Sequence, residues 1–253
     1  LKKANIGIAM GIRGTEASRE AADVILKNDE FTAIELAIRQ GRVIFENIRQ
    51  FVVYLLSCNL AEILSVGIAA SLNFPSPLLP MQILFLNLIT DVFPSLALGL
   101  GKGEIDIMER PPKNPKAPII NKRDWYTIVL YGMCISLAVL GIVSYAHLVL
   151  ELPADTINNM AFYTLVMAQL FNVFNLPRPT ESFWINEVTT NIWVWGAIVL
   201  SLSITFGAYL ITPIAEALSL EPLSTQQLIL VLLFALGSLV LAQFAKKFEK
   251  IFF

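Results

Sequence analysis

Phe51-Val52-Val53-Tyr54-Leu55-Leu56-Ser57-Cys58-Asn59-Leu60-Ala61-Glu62-Ile63-Leu64-Ser65-Val66-Gly67-Ile68-Ala69-Ala70-Ser71-Leu72 is apolar around its whole circumference. It holds no proline, no basic residue and a single acid, Glu62. About 20 such residues match the thickness of a bilayer core, so the stretch reads as a membrane span. Its helical pattern starts well upstream. Ile34, Ala37, Ile38, Gly41, Phe45, Ile48 and Val52 recur on one face, opposite Glu35, Arg39, Arg42, Glu46 and Arg49. A helix from Thr32 to Leu72, capped by Asn28 or Asp29, would be roughly 60 Å long at 1.5 Å per residue. A bilayer core takes about 30 Å of that. The spacing therefore predicts a stalk helix over residues 32–50, outside the bilayer, running without a break into a span.

Before the stalk, residues 1–31 are water-soluble in character. Ala4-Asn5-Ile6-Gly7-Ile8-Ala9-Met10-Gly11 reads as a buried strand, Gly14 to Ala22 as a short helix capped by Thr15, and Asp23 to Leu26 as a second strand. This is the pattern of an α/β remnant, and a chain that opens one step before a core strand reads as cut from something longer. After the first span come five more apolar runs: Met81 to Leu100, Trp125 to Leu150, Met160 to Leu176, Ile192 to Ile211 and Leu228 to Phe244. The run from Met160 is the most polar, carrying Gln169, Asn172 and Asn175. The expected fold is mainly α, a six-helix transmembrane bundle over residues 51–253 with a long cytosolic stalk and an N-terminal α/β remnant.

Composition agrees with a membrane protein. Hydrophobic residues make up 56% of the chain and charged ones 15%, against about 25% charged in soluble domains. A net charge of −2 argues against nucleic acid as a partner. The 18 basic residues are sorted by position. They fall before Phe51, in the loop after the second span (Lys102, Arg110, Lys113, Lys116, Lys122, Arg123), in the loop after the fourth (Arg178) and in the tail (Lys246, Lys247, Lys250). The three alternate loops have none. The positive-inside rule then gives six spans with both ends in the cytosol. Compact loops without low-complexity tails point to a bacterial cytoplasmic membrane. Cys58 and Cys134, far apart in apolar runs, suggest neither a disulfide nor a metal site. His147 is alone near a span's end, so a zinc or copper site is not expected.

Two acids, Glu62 and Asp91, fall deep in spans with no basic partner in any span. A charge at a helix centre costs about 2.5–3.5 kcal/mol on insertion scales, so such acids call for a cation or a proton. Polar neighbours cluster with both. Asn59 and Glu62 share one helix face, as do Asn87, Thr90 and Asp91. Pro94 removes a backbone donor three residues past Asp91, which predicts a loosened helix there. The ligands on offer are all oxygens, about seven at most, which suits one hard cation such as Ca²⁺.

These residues resemble the C-terminal part of a P-type cation-transporting ATPase. The resemblance rests on Ala4 to Gly11, Ser57-Cys58-Asn59-Leu60-Ala61-Glu62, Asn87-Leu88-Ile89-Thr90-Asp91 and Asp106-Ile107-Met108-Glu109-Arg110-Pro111-Pro112. It implies the end of the phosphorylation domain, the stalk and transmembrane helices five to ten. It also implies that Asp106, Arg110, Pro111 and Pro112 belong to a loop coupling the phosphorylation domain to the ion site. The first four helices, the actuator, nucleotide-binding and phosphorylation domains, and the sites for ATP and Mg²⁺ would lie upstream, so the chain alone should not hydrolyse ATP. The reticulum-type calcium pumps look closest. By that resemblance Asn59, Glu62, Thr90 and Asp91 hold one Ca²⁺, Asn87 and Asp91 contribute to a second, and protons return on the emptied carboxylates. Gln169 stands where those pumps place a glutamate ligand, and Val92 where they often have glycine. Sodium/potassium pumps usually carry Asp at the position of Asn87. Another P-type pump, or a six-span channel or secondary transporter without ATPase activity, are the alternatives.

Overall fold

The computed structural model describes residues 1–103, 105–112, 117–177 and 183–252. Lys113, Lys116 and Arg178, used above for topology, lie outside the described residues. The chain divides into two compact units, Leu1–Phe45 with Glu104–Pro111, and Glu46–Gly103 with Pro112–Phe253.

In the first unit, strands β1 (Ile8–Met10) and β2 (Val24–Leu26) pair in parallel with Ile8 opposite Val24, joined by helix α1 (Glu16–Glu20). Thr15 caps α1 as expected, its hydroxyl accepting from the Ser18 N–H at 3.2 Å. Helix α2 (Thr32–Ser71) then starts where the periodicity placed it. Its expected caps do other work. Asp29 has a φ of 55°, and its carboxylate turns back to accept from the N–H groups of Ile12 (2.8 Å) and Arg13 (2.7 Å). Asn28 accepts from Glu30 N–H at 3.5 Å. A left-handed backbone, which Asp tolerates, aims the side chain at the loop after β1 rather than at the helix.

The second unit contains the rest of α2, then α3 (Pro80–Leu86), a π turn (Asn87–Asp91), α4 (Val92–Gly99) and α5 (Lys122–Leu148). Next come α6 (Ala154–Asn172) with a 3₁₀ turn at Val173–Asn175, α7 (Ile192–Ala208), α8 (Thr212–Ala217) and α9 (Thr225–Phe252). Among the described residues, four helices are long and apolar enough to cross a membrane: Thr32–Ser71, Pro80–Gly99, Lys122–Leu148 and Thr225–Lys247. The apolar helix α7 is shorter.

Helix α6 differs in kind. It packs against both α5 and α9 and buries nearly every side chain, including Asn158, Asn159, Thr164, Gln169 and Asn172. Its low hydropathy follows from this placement, because its neighbours are protein groups that can bond to amides. The core around it holds Ile135, Val139 and Ile142 of α5, Met160, Phe162 and Leu165 of α6, and Val231 and Ala235 of α9. Helices α5 and α9 approach closely at Gly141, where a Cβ would stand 2.8 Å from the Phe234 ring.

Each end of this unit is tied by polar groups. At one end α2 closes on Asn73 (φ 55°), with the Phe74 N–H reaching Ala69 O at 2.9 Å. There the buried Gln82 carboxamide donates to Asn158 Oδ1 (2.7 Å) and Leu218 O (3.0 Å), joining three connections. At the other end Asn121 and Asp124 form a capping box on α5, at 3.0 and 2.9 Å. Asp124 also pairs with Arg49, which pairs in turn with Glu46 one turn earlier in α2. Burial disfavours the Arg49 charge, but Glu46 and Asp124 outweigh it and raise the guanidinium pKa.

Two predictions follow from these ties. Arg49→Met leaves two buried carboxylates without their cation and should lower stability by about 3–5 kcal/mol, read as a fall in melting temperature in detergent. Asp29→Ala should speed hydrogen exchange at the Ile12 and Arg13 amides at neutral pH. The Ile12 N–H foremost, despite some opposing desolvation, holds the Asp29 carboxyl below the usual carboxylate range. Protection in the native protein should therefore persist from neutral pH through that range and disappear only beneath it.

Candidate functional site

Glu62 reaches the site from the middle of α2, on the face that continues Tyr54 and Cys58 at four-residue spacing, and all three are buried. Thr90 and Asp91 come from the π turn, where one extra residue per turn widens the helix. This widened turn covers the polar residues ahead of Pro94 at which the sequence predicts a loosened helix, and regular helix resumes at Val92. Gln169 comes from α6 and is fully buried.

A chain of side chains joins these elements. Gln169 Nε2 donates to Glu62 Oε1 at 2.9 Å, and the Thr90 hydroxyl, with one proton to give, stands within donating distance of Gln169 Oε1 (3.0 Å) and of Leu86 O (2.8 Å). Thus Glu62, Thr90 and Gln169, distant in sequence, meet at one place. Gln169 presents its amide N–H to Glu62, so toward that carboxylate it acts as a donor.

Asp91 is different. It is 2% exposed, and neither carboxylate oxygen has a hydrogen-bond partner among the described residues. A buried carboxyl without a donor is costly in its charged form, so this one is stable only when protonated or beside a cation. Asn59 and Asn87 are half-buried on the expected helices, and Asn59 Nδ2 donates to Leu55 O at 2.9 Å, which leaves its carbonyl oxygen to serve as an acceptor.

The sequence did not point to several further groups. Tyr54 Oη donates to Thr90 O at 2.9 Å and Ser201 Oγ of α7 to Ile89 O at 3.1 Å. Asn172 Nδ2 donates to Ser57 Oγ at 3.0 Å. Ser201 is one of three close hydroxyl residues, with Ser203 and Thr205, in an apolar run, and nothing in the sequence singles it out.

The expected coupling loop lies in the first unit. Asp106 and Arg110 pair one turn apart, Nη2 to Oδ1 at 2.6 Å, and Pro111 follows exposed. Arg42 of α2 donates to Ile107 O (2.9 Å) and Arg110 O (2.7 Å). The loop is therefore fastened to the stalk by an arginine the sequence reading had assigned only to a polar face. Pro112, the last of the expected loop residues, is also exposed and belongs to the second unit.

Residues 75–248 match the family described as cation transporting ATPase, C-terminus, and the chain belongs to that family. It is also 40% identical over 203 residues to a calcium-transporting ATPase of Bacillus subtilis (strain 168). That match takes in 80% of this chain and 23% of the relative, so the chain spans about a quarter of that protein's length.

Proposed function

We propose that the chain is the cation-binding, membrane-spanning part of an ATP-driven P-type pump, with Ca²⁺ as the transported ion and protons as counter-ions. The observation that carries this reading is Asp91, buried with both oxygens unpartnered beside the Glu62–Gln169–Thr90 chain. Glu62, Asp91, Thr90, Asn59 and Asn87 supply carboxylate, hydroxyl and amide oxygens, the donor set of a hard cation. Gln169 holds Glu62 in place as a donor, which favours one ion per cycle over two. The calcium-transporting relative supports the choice of ion.

Six spans with both ends in the cytosol go with this reading, α6 and α7 counting as spans whose polarity and shortness reflect their packing. The membrane would be a bacterial cytoplasmic one. ATP and Mg²⁺ act on the family's phosphorylation and nucleotide-binding domains, and this chain's share is to bind the ion and exchange access. In that cycle Arg42 and the Asp106–Arg110 loop carry the displacement to α2. Glu62 then moves with α2, and its bond to Gln169 sets where its carboxylate stops.

The test is ATP-driven ⁴⁵Ca²⁺ uptake into vesicles bearing the full-length protein. Glu62→Gln and Asp91→Asn should each abolish uptake, and Gln169→Leu should reduce it several-fold by releasing Glu62. Wild-type uptake in both carboxylate variants would overturn the site, and ATPase activity stimulated by another cation alone would overturn the ion.

A further inference from the structure

Pro94 removes a donor at the junction of two helical registers. In an α-helix the carbonyl of residue i accepts from the N–H of i+4, and in a π turn from that of i+5. Proline has no N–H, so where α4 follows the π turn the Thr90 carbonyl loses its α-helical donor, residue 94, while Ile89 loses only the π alternative and keeps Phe93 as its α-helical donor. Both carbonyls sit where water cannot help, Thr90 being fully buried and Ile89 9% exposed. A buried carbonyl without a donor is costly, so at Thr90 something must take the proline's place.

These are the carbonyls to which the two buried hydroxyls donate. Tyr54 Oη reaches Thr90 O at 2.9 Å from α2, and Ser201 Oγ reaches Ile89 O at 3.1 Å from α7. Both residues are fully buried, so neither hydroxyl has water as an alternative. The donors come from two helices on which the proline has no other influence.

We propose that Tyr54 and Ser201 are positioning residues for the cation site. The Tyr54 hydroxyl replaces the donor that Pro94 lacks at Thr90 O, the Ser201 hydroxyl adds a second bond at Ile89 O, and together they hold the Asn87–Asp91 turn in the π register in which Thr90 meets Gln169. The inference rests on the cation-site reading above. Neither residue touches the ion: each acts through a backbone carbonyl next to a ligand. Because Tyr54 shares α2 with Glu62, movement of α2 draws on the turn and on the carboxylate together.

The test is a double-mutant cycle in the full-length protein. Tyr54→Phe and Ser201→Ala each delete one oxygen and leave the packing volume nearly intact. Each should raise the Ca²⁺ concentration for half-maximal ATPase activation by about 3- to 10-fold, the range one hydrogen bond supports. Hydrogen exchange across residues 89–96 should rise with it, and Ser201→Thr, which keeps the hydroxyl, should restore both. Pro94→Ala returns one N–H, the α-helical donor of Thr90 O, so in that background Tyr54→Phe should lose most of its effect while Ser201→Ala keeps its own. An equal effect of Tyr54→Phe with and without Pro94→Ala would overturn the replacement of the donor. Wild-type Ca²⁺ activation in both hydroxyl variants, alongside loss in Asp91→Asn, would overturn the positioning role alone. Wild-type activation in Asp91→Asn would instead overturn the cation-site reading.

Discussion

A backbone carbonyl buried away from water must find a donor within the protein, and in the second unit the Thr90 carbonyl has none at the usual place in its own helix. Pro94 interrupts that ladder, and the repair comes from α2, with a second bond from α7 to the neighbouring carbonyl. Once Tyr54 and Ser201 are committed to Thr90 O and Ile89 O, the π turn is fixed between those helices. Gln169 of α6 then spans from Thr90 to Glu62. Three helices that share no local sequence thereby meet at five residues of widened helix.

Comparing the buried acids of this unit separates structure from function. Glu46 and Asp124 share Arg49, and Asp124 also closes the cap of α5. Their charges are compensated where they stand, which is what a structural acid requires. Glu62 has one amide donor, and Asp91 has none among the described residues. The protein provides a hydroxyl for each of two neutral carbonyls a residue or two away, yet leaves the carboxylate bare. Two hydrogen bonds placed so close to Asp91 show that this part of the core is well able to supply donors. Among the described residues, the protein's own groups thus leave the Asp91 carboxyl without a donor.

Much of this could be read from residue order alone, and the exceptions have physical reasons. The long helix was visible because an apolar face repeating from Ile34 to Val52 runs without a proline into an all-apolar stretch, and its bounds shift by one residue, Ser71 for Leu72. Glu62 and Asp91 stood out because the apolar spans excluded every other acid. The π turn was not visible, since Asn87-Leu88-Ile89-Thr90-Asp91 has the same face pattern in either register and tertiary bonds decide between them. Tyr54 and Ser201 look like ordinary span residues until their partners are known. Asp29 misled for a related reason: an acid just before a helix reads as a cap, but a left-handed backbone turned it toward β1. Helix α6 read as the most polar of the six runs because the sequence does not tell which amides face other amides.

The two helices that carry the acids differ in stiffness. Within the second unit α2 runs from Glu46 to Ser71 with no proline and no break, and Tyr54 and Glu62 lie on that stretch. The helix that carries Asp91 is interrupted by a π turn and a proline within eight residues, so its compliance is concentrated beside that carboxyl. When a stiff element is bonded to a soft one, the soft one deforms. Motion of this stretch of α2 would be taken up at Asn87–Asp91, through the Tyr54 hydroxyl and the Glu62–Gln169–Thr90 chain, rather than spread through the helix. A regular α-helix in that position would have moved as a rod and kept Asp91 fixed relative to its neighbours.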